Sequence, residues 1–278
     1  AATGAAPARL ANEPLVVYVP AWGGHRWENT ALASELASYG YVVAALDDVD
    51  HSSVPGAPGP RPFALETATE ALASISYADW KVVREAALVS RLIDVLFADH
   101  RFAPLLDRRR IGAVGYSFGG AAAAEACRRD PRIRAVVNFD GWLWGPAASQ
   151  GFPCPYLLIG EQGDVNDLRI PSERRAAAID RSDARNQQAQ FEREGGFKLL
   201  FAHTQHSSFG DAPLYSLRLR FADRALASPR DTLRIVAAYV RAFFDRTLEG
   251  RPAPLLSAPP PPGATFERFL PHRGKRSA

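Results

Sequence analysis

Apolar runs alternate with amphipathic stretches along most of the chain. Leu15-Val16-Val17-Tyr18-Val19 is apolar throughout, stops at Pro20 and opens into Trp22-Gly23-Gly24, the pattern of a buried strand leading into a turn. Residues 28–39 carry a short helical pattern ended by Gly40, and residues 41–46 form the next apolar run. A polar loop, Asp47 to Ser53, and a Pro/Gly stretch to Pro62 follow. Helical periodicity then returns twice, over 64–73 and 80–98.

The second half continues the alternation. A short strand is expected over 111–114, an alanine-rich helix over 120–127, and strands over 133–139 and 156–160. A polar helix is expected over 184–194, and 197–201 reads as the last strand. The final long helix has the clearest start: Ser228 as cap, Pro229 at the first helical position and Asp231 in the first turn. Leu233, Val236, Val240 and Phe243 then share one face. Strands that are apolar on both faces and separated by helices predict an α/β fold, a mostly parallel sheet covered on both sides.

Residues 1–250 read as one domain and 251–278 as a proline-rich extension. Four prolines at 259–262 exclude a helix there and favour an extended segment, which either docks through Phe266 and Phe269 or trails as a linker.

Composition narrows the partners. With 47% hydrophobic and 23% charged residues, the chain of 278 residues is not a disordered polymer. The net charge of +3 comes mainly from arginines interspersed with acids. The densest group, Arg108-Arg109-Arg110, lacks interleaved aromatics and reads as a solvated strand entrance, so no nucleic-acid partner is expected. No apolar stretch reaches 18 residues, which argues against a membrane span. The opening AATGAAPARLA resembles the small-residue start of a mature exported protein, so a secreted or periplasmic bacterial location is expected. Cys127 and Cys154 allow one disulfide or two independent buried thiols, and neither has a partner at zinc spacing. A monomer or weak dimer is expected.

The strongest chemical signal is Gly115-Tyr116-Ser117-Phe118-Gly119. An apolar strand precedes it and a small-residue helix follows. Glycines on both sides relieve crowding where a strand turns sharply into a helix, which exposes Ser117 as a nucleophile. An alcohol needs a base, and the histidines after the 197–201 strand, His203 and His206, lie where a late loop returns over the serine. His206 is favoured, since it is farther along the loop and Ser207, Ser208 and Phe209 can fix its backbone. For the carboxylate that orients the base, Asp140 and Asp164 compete, each following a parallel strand.

These segments together resemble the secreted or plasma-type platelet-activating-factor acetylhydrolase family within the α/β-hydrolase superfamily. Gly115-Tyr116-Ser117-Phe118-Gly119-Gly120 is similar to that family's serine motif, Asn138-Phe139-Asp140-Gly141-Trp142 to its acid turn, and His206-Ser207-Ser208-Phe209-Gly210-Asp211 to its His-x-x-Phe-x-Asp segment. The resemblance spans roughly residues 14–245. It implies an α/β-hydrolase fold and a triad of Ser117, Asp140 and His206. It also implies an oxyanion hole from the N–H groups of Trp22 and Phe118, although Pro20 and Ala21 replace the more usual His-Gly.

The expected chemistry is hydrolysis of small-molecule or lipid esters through an acyl-enzyme, with no metal or organic cofactor. Tyr116, Trp142, Trp144 and His51 are candidate pocket residues, with Trp22, Trp27 and Phe118 as further aromatics near the same edge. Short-acyl lipid or small esters lead. An extracellular lipase or polyester (cutin-like) hydrolase, an amidase or acyltransferase, and a non-catalytic scaffold are the alternatives.

Overall fold

Every apolar run becomes a strand: β1 (Glu13–Val19), β2 (Val42–Ala45), β3 (Leu106–Tyr116), β4 (Ile133–Phe139), β5 (Tyr156–Glu161) and β6 (Gly196–Phe201), joined by a seventh, β7 (Ala264–Phe269). The computed structural model describes residues 12–51, 59–163, 167–202, 204–216 and 229–271. The strands form one sheet in the order β2-β1-β3-β4-β5-β6-β7. All neighbours are parallel except β6 and β7.

Side chains leave the strands alternately toward two cores. Leu15, Val17 and Val19 join one cluster with α2 (Ala68–Ala98) and α3 (Phe118–Arg129). Val16 and Tyr18 join the other, with α1 (Thr30–Ser38) and α7 (Pro229–Thr247). Both strand faces are therefore dry, which explains apolar runs in place of alternation. Each fully buried Val or Leu contributes on the order of 1.5–3 kcal/mol of burial free energy. Leu233, Val236, Val240 and Phe243 are all buried along α7, as the sequence predicts. Its expected cap, Ser228, lies outside the described residues.

Four expectations are corrected. The two helical segments at 64–73 and 80–98 are one helix, α2, whose Thr67 side chain accepts from Glu70 N–H in a capping box. Ser74 and Ala78 lie in its buried stripe, so the helix runs through the gap in the apolar pattern. Strand β3 begins earlier, at Leu106, and the polar helix α5 (Pro171–Glu194) is much longer than 184–194. Phe197–Phe201 is not the last strand, because β7 adds to it antiparallel. Phe266 packs against the α7 core and Phe269 stacks on Phe191, so this part of the extension docks. Cys127 and Cys154 form a disulfide between the end of α3 and the segment before β5.

Two short helices, α4 (Gly145–Gln150) and α6 (Ala212–Tyr215), follow the loops described below. The chain leaves β1 toward β2 on one side and returns to β3 on the other. Such a reversal leaves a crevice at the carboxyl ends of the strands, and residues 20–24, 117, 140 and 161 all follow or end strands at that edge.

Candidate active site

Ser117 occupies the turn from β3 to α3 with φ 56° and ψ −123°, a left-handed φ that few non-glycine residues adopt. The surrounding glycines make the turn sterically feasible. A Cβ on Gly115 would overlap the backbone of Gly119, and one on Gly119 would overlap the Val19 carbonyl. The end of β1 therefore lies directly against the first turn of α3. Ser117 N–H donates to Phe139 O at 2.7 Å, tying the turn to β4.

Asp140, immediately after β4, also has positive φ, 55°. Its N–H donates to Ile159 O at 2.8 Å, and its Oδ1 accepts from Glu161 N–H at 3.0 Å. Next door, Asn138 accepts from Gly141 N–H at 3.0 Å and donates to Gly141 O at 2.7 Å, so the turn after the acid is held by a buried side chain.

His206 begins a 3₁₀ turn, His206–Phe209. Its Nδ1 lies 2.7 Å from Asp140 Oδ2 and its Nε2 lies 2.9 Å from Ser117 Oγ. With Nδ1 protonated and bonded to the carboxylate, Nε2 is left to accept from the serine hydroxyl. Ser208 Oγ accepts from Gln205 N–H, and Phe209 is fully buried, so these neighbours fix the turn. Asp211 is buried as well: its carboxylate accepts from Ala31 N–H at the start of α1, and its N–H donates to Glu28 O. Burial raises the Asp211 carboxyl above the ordinary carboxylate range, opposed by its bonds from Ala31 and Thr30 N–H. Sequence reasoning assigned no role to this anchor.

A cleft of about 720 Å³ opens over these residues, lined by Ser117, His206 and Asp140 together with Trp22, Phe118, Trp142 and Trp144. Phe63 completes the aromatic wall, lying 5.7 Å from both Trp22 and Trp144 and 6.0 Å from Trp142. Helix α5 closes the far side. There Asp180 accepts from the Trp142 indole N–H at 2.8 Å, and buried Asp183 accepts from Leu143 N–H at 2.6 Å and from Gln187 Nε2. Burial pushes the Asp183 carboxyl up to about 7.

Two expected pocket residues sit elsewhere. Tyr116 does not line the cleft; its ring stacks on His206 with centroids 5.0 Å apart, and its hydroxyl donates to His206 O at 3.0 Å. His51 packs edge-on to His25 and Trp27 outside the cleft lining. The competing acid Asp164 and competing base His203 lie outside the described residues. Among the described residues, no group of three or more His, Cys, Asp or Glu could hold a metal ion.

The loop carrying Trp22 is tightly held. Ala21 N–H donates to Glu28 Oε1 at 2.6 Å, and Gly23 N–H to Asp48 Oδ2 at 2.8 Å. Phe118 is the first residue of α3, where a backbone N–H has no intrahelical acceptor. Among the described residues, neither Trp22 N–H nor Phe118 N–H donates to a protein acceptor. Phe63 and the α5 carboxylates were missed because nothing in their local sequence distinguishes them. They reach the cleft through tertiary packing.

The profile of the dienelactone hydrolase family matches residues 1–155, a span that holds both the Ser117 and Asp140 turns. The chain belongs to the dienelactone hydrolase family. Within the curated proteins, this family member is 29% identical over 153 residues to a probable 1-alkyl-2-acetylglycerophosphocholine esterase of Arthroderma benhamiae, covering 53% of this chain and 37% of that one. It is 27% identical over 177 residues to the platelet-activating factor acetylhydrolase of Cavia porcellus, covering 54% of this chain and 40% of that one. The chain thus spans well under half the length of these curated relatives. A solved structure of a ferulic acid esterase from Streptomyces cinnamoneus is similar over 95% of this chain and 76% of that one, with TM-score 0.70 and 28% identity.

Proposed function

We propose that this chain is a serine carboxylic-ester hydrolase in which Ser117 is the nucleophile, His206 the general base and Asp140 the residue that orients it. The observation that carries the proposal is the continuous line from Asp140 Oδ2 to His206 Nδ1 and from His206 Nε2 to Ser117 Oγ, at 2.7 and 2.9 Å. Ser117 Oγ attacks the ester carbonyl while its proton passes to His206 Nε2. Asp140 stabilises the imidazolium that forms. The tetrahedral oxyanion is met by Trp22 N–H and Phe118 N–H, each donor contributing about 3 kcal/mol to the transition state. His206 then returns its proton to the departing alcohol, and water releases the acyl group by the same steps in reverse.

Short-acyl lipid or small esters are the proposed substrates, within an acetylhydrolase-like branch of the family. Similarity to two proteins described as acetylglycerophosphocholine esterase or acetylhydrolase supports this choice. A second class, esters with a bulky aromatic part, including polyesters, is favoured by a specific feature. A cleft of about 720 Å³ walled by Trp22, Phe63, Trp142 and Trp144 is far larger than an acetyl group needs. The solved relative described as a ferulic acid esterase points the same way.

The catalytic unit is proposed to occupy residues 1–250, with 251–278 as an extension that contributes β7 to the sheet edge. The Cys127–Cys154 disulfide supports a secreted or periplasmic setting, where such bonds persist. Among the described residues, no helix is long and apolar enough to cross a membrane.

Labelling with a fluorophosphonate probe tests the nucleophile. Modification mapped to the peptide holding Ser117, and lost in Ser117→Ala, is the expected result. Absence of labelling in the folded wild-type protein would remove the proposal and leave a binding scaffold.

A further inference from the structure

Beneath the loop that carries Trp22 lies a buried charged cluster that the hydrolytic steps above do not use. Lys81 of α2 is completely inaccessible to solvent, 0% exposed. Its ammonium lies 2.6 Å from Asp48 Oδ1, 2.6 Å from Asp50 Oδ2 and 3.8 Å from Glu85 Oε1. A lysine so far from water persists only where carboxylates surround it.

The cluster is connected to the site by three routes. Asp48 accepts from Lys81 with one oxygen and from Gly23 N–H with the other, at 2.8 Å, so it grips the residue directly after Trp22. Asp50 accepts from Lys81 and from the Tyr77 hydroxyl, and the Tyr77 ring packs edge-on against Trp22 at 5.5 Å. Lys81 Nζ itself lies 5.2 Å from the centre of the Trp22 ring and 5.9 Å from that of Phe118, within the range of cation–π attraction. The two rings pack on each other at 5.0 Å. Lys81 thus faces both residues whose backbone N–H groups are assigned to the oxyanion.

We propose that Lys81 is a positioning residue: through Asp48 and the rings of Trp22 and Phe118, it holds the two oxyanion-binding N–H groups at the spacing the transition state requires. The proposal rests on the esterase assignment above. Donors that are fixed before the reaction act without reorganisation, so loosening them weakens the transition state more than the bound ester. Glu28 holds Ala21 N–H on one side of Trp22 and Asp48 holds Gly23 N–H on the other, while the Trp22 indole N–H donates to Arg61 O at 2.6 Å, so the Asp48 side is one of the restraints on this loop.

The test compares wild type, Lys81→Met, Asp48→Asn and Ser117→Ala. Each is assayed for kcat and KM on p-nitrophenyl butyrate, for inhibition by an aliphatic trifluoromethyl ketone, and for thermal unfolding. The ketone carbonyl accepts the Ser117 oxygen, its π electrons become the oxyanion, and the serine proton moves to His206, so its Ki reports the oxyanion contacts.

Lys81→Met removes the charge and keeps the stem. It is expected to lower kcat by about tenfold or more while KM changes less than about threefold, with Ki rising in step with the fall in kcat/KM. Asp48→Asn keeps the side-chain shape and is expected to shift kcat and Ki in the same direction. Folded variants with wild-type kcat and Ki would overturn the positioning role, as would loss of folding in both, which assigns the cluster to core stability. A wild-type rate equal to that of Ser117→Ala would instead overturn the esterase assignment on which the proposal stands.

Discussion

Gly160 lies where a side chain would strike Asp140: a Cβ built on it would sit 2.5 Å from Asp140 Oδ1. The same oxygen accepts from Glu161 N–H, and the other faces His206 Nδ1. Strand β5 therefore leaves out a side chain so that the acid can rotate into line with the imidazole.

Gly160→Ala is expected to displace the Asp140 carboxylate by roughly 0.5–1 Å and lower kcat by roughly ten- to a hundredfold, since small misplacements in a catalytic constellation carry large costs. KM and the unfolding temperature change little. Steady-state kinetics beside a melting curve checks this, and an unchanged kcat would show that the acid tolerates the methyl group.

Asp211 links the His206 turn to α1 through Ala31 N–H and Glu28 O. Asp211→Ala removes the carboxylate that accepts from Ala31 and Thr30 N–H, at about 1–3 kcal/mol for a buried group left unsatisfied, while the backbone bond from residue 211 N–H to Glu28 O is kept. Both the unfolding free energy and kcat are expected to fall. Asp211→Asn keeps one accepting oxygen and is expected to recover most of the stability.

Burial pushes the Glu85 carboxyl up to about 7, with the neighbouring charge of Asp48 adding to the push. The folded protein therefore binds this proton more tightly than the unfolded chain, and ionising Glu85 costs folding free energy. The sign follows from linkage: stability attributable to Glu85 is present below the ordinary carboxylate range, near 4.5, and is lost as pH rises toward 7. Glu85→Gln is expected to remove this dependence, so the variant gains relative to wild type at pH 8 and differs little at pH 4. Denaturant unfolding at the two pH values checks it, and a relative gain at pH 4 alone would contradict the assignment.

The disulfide closes a separation of 27 residues between Cys127 and Cys154. In the chain-entropy account a loop of that size contributes about 3.5 kcal/mol by restricting the unfolded chain. Cys127→Ala with Cys154→Ala is expected to lower stability by at least that amount, because both side chains are also buried in the core. Equilibrium unfolding of the double variant gives the number.

Much of this arrangement is visible in the sequence because the chemistry depends on local segments. The glycines around Ser117, the Asp140 turn after β4 and the spacing from His206 to Asp211 each encode a backbone shape within a few residues. Apolar runs betray six strands because both sheet faces are dry. What stays hidden is decided across the fold. The polar composition of α5 disguises a long helix whose value lies in the carboxylates it sets behind Trp142. The proline run at 259–262 conceals a strand that pairs only once β6 is in place. Lys81 and Glu85 share the buried stripe of Ala78, Val82 and Val89, yet their spacing equally fits a solvated ion pair.

Initial hydrolysis rates on p-nitrophenyl acetate, butyrate, octanoate and palmitate, for wild type and Ser117→Ala, test the central claim most directly. The account predicts turnover that is fastest on acetate or butyrate and falls by about a thousandfold or more when Ser117 is lost. Turnover that peaks at octanoate or beyond would move the substrate toward bulkier esters. Equal rates for wild type and Ser117→Ala on every ester would contradict the assignment of this site as a serine hydrolase.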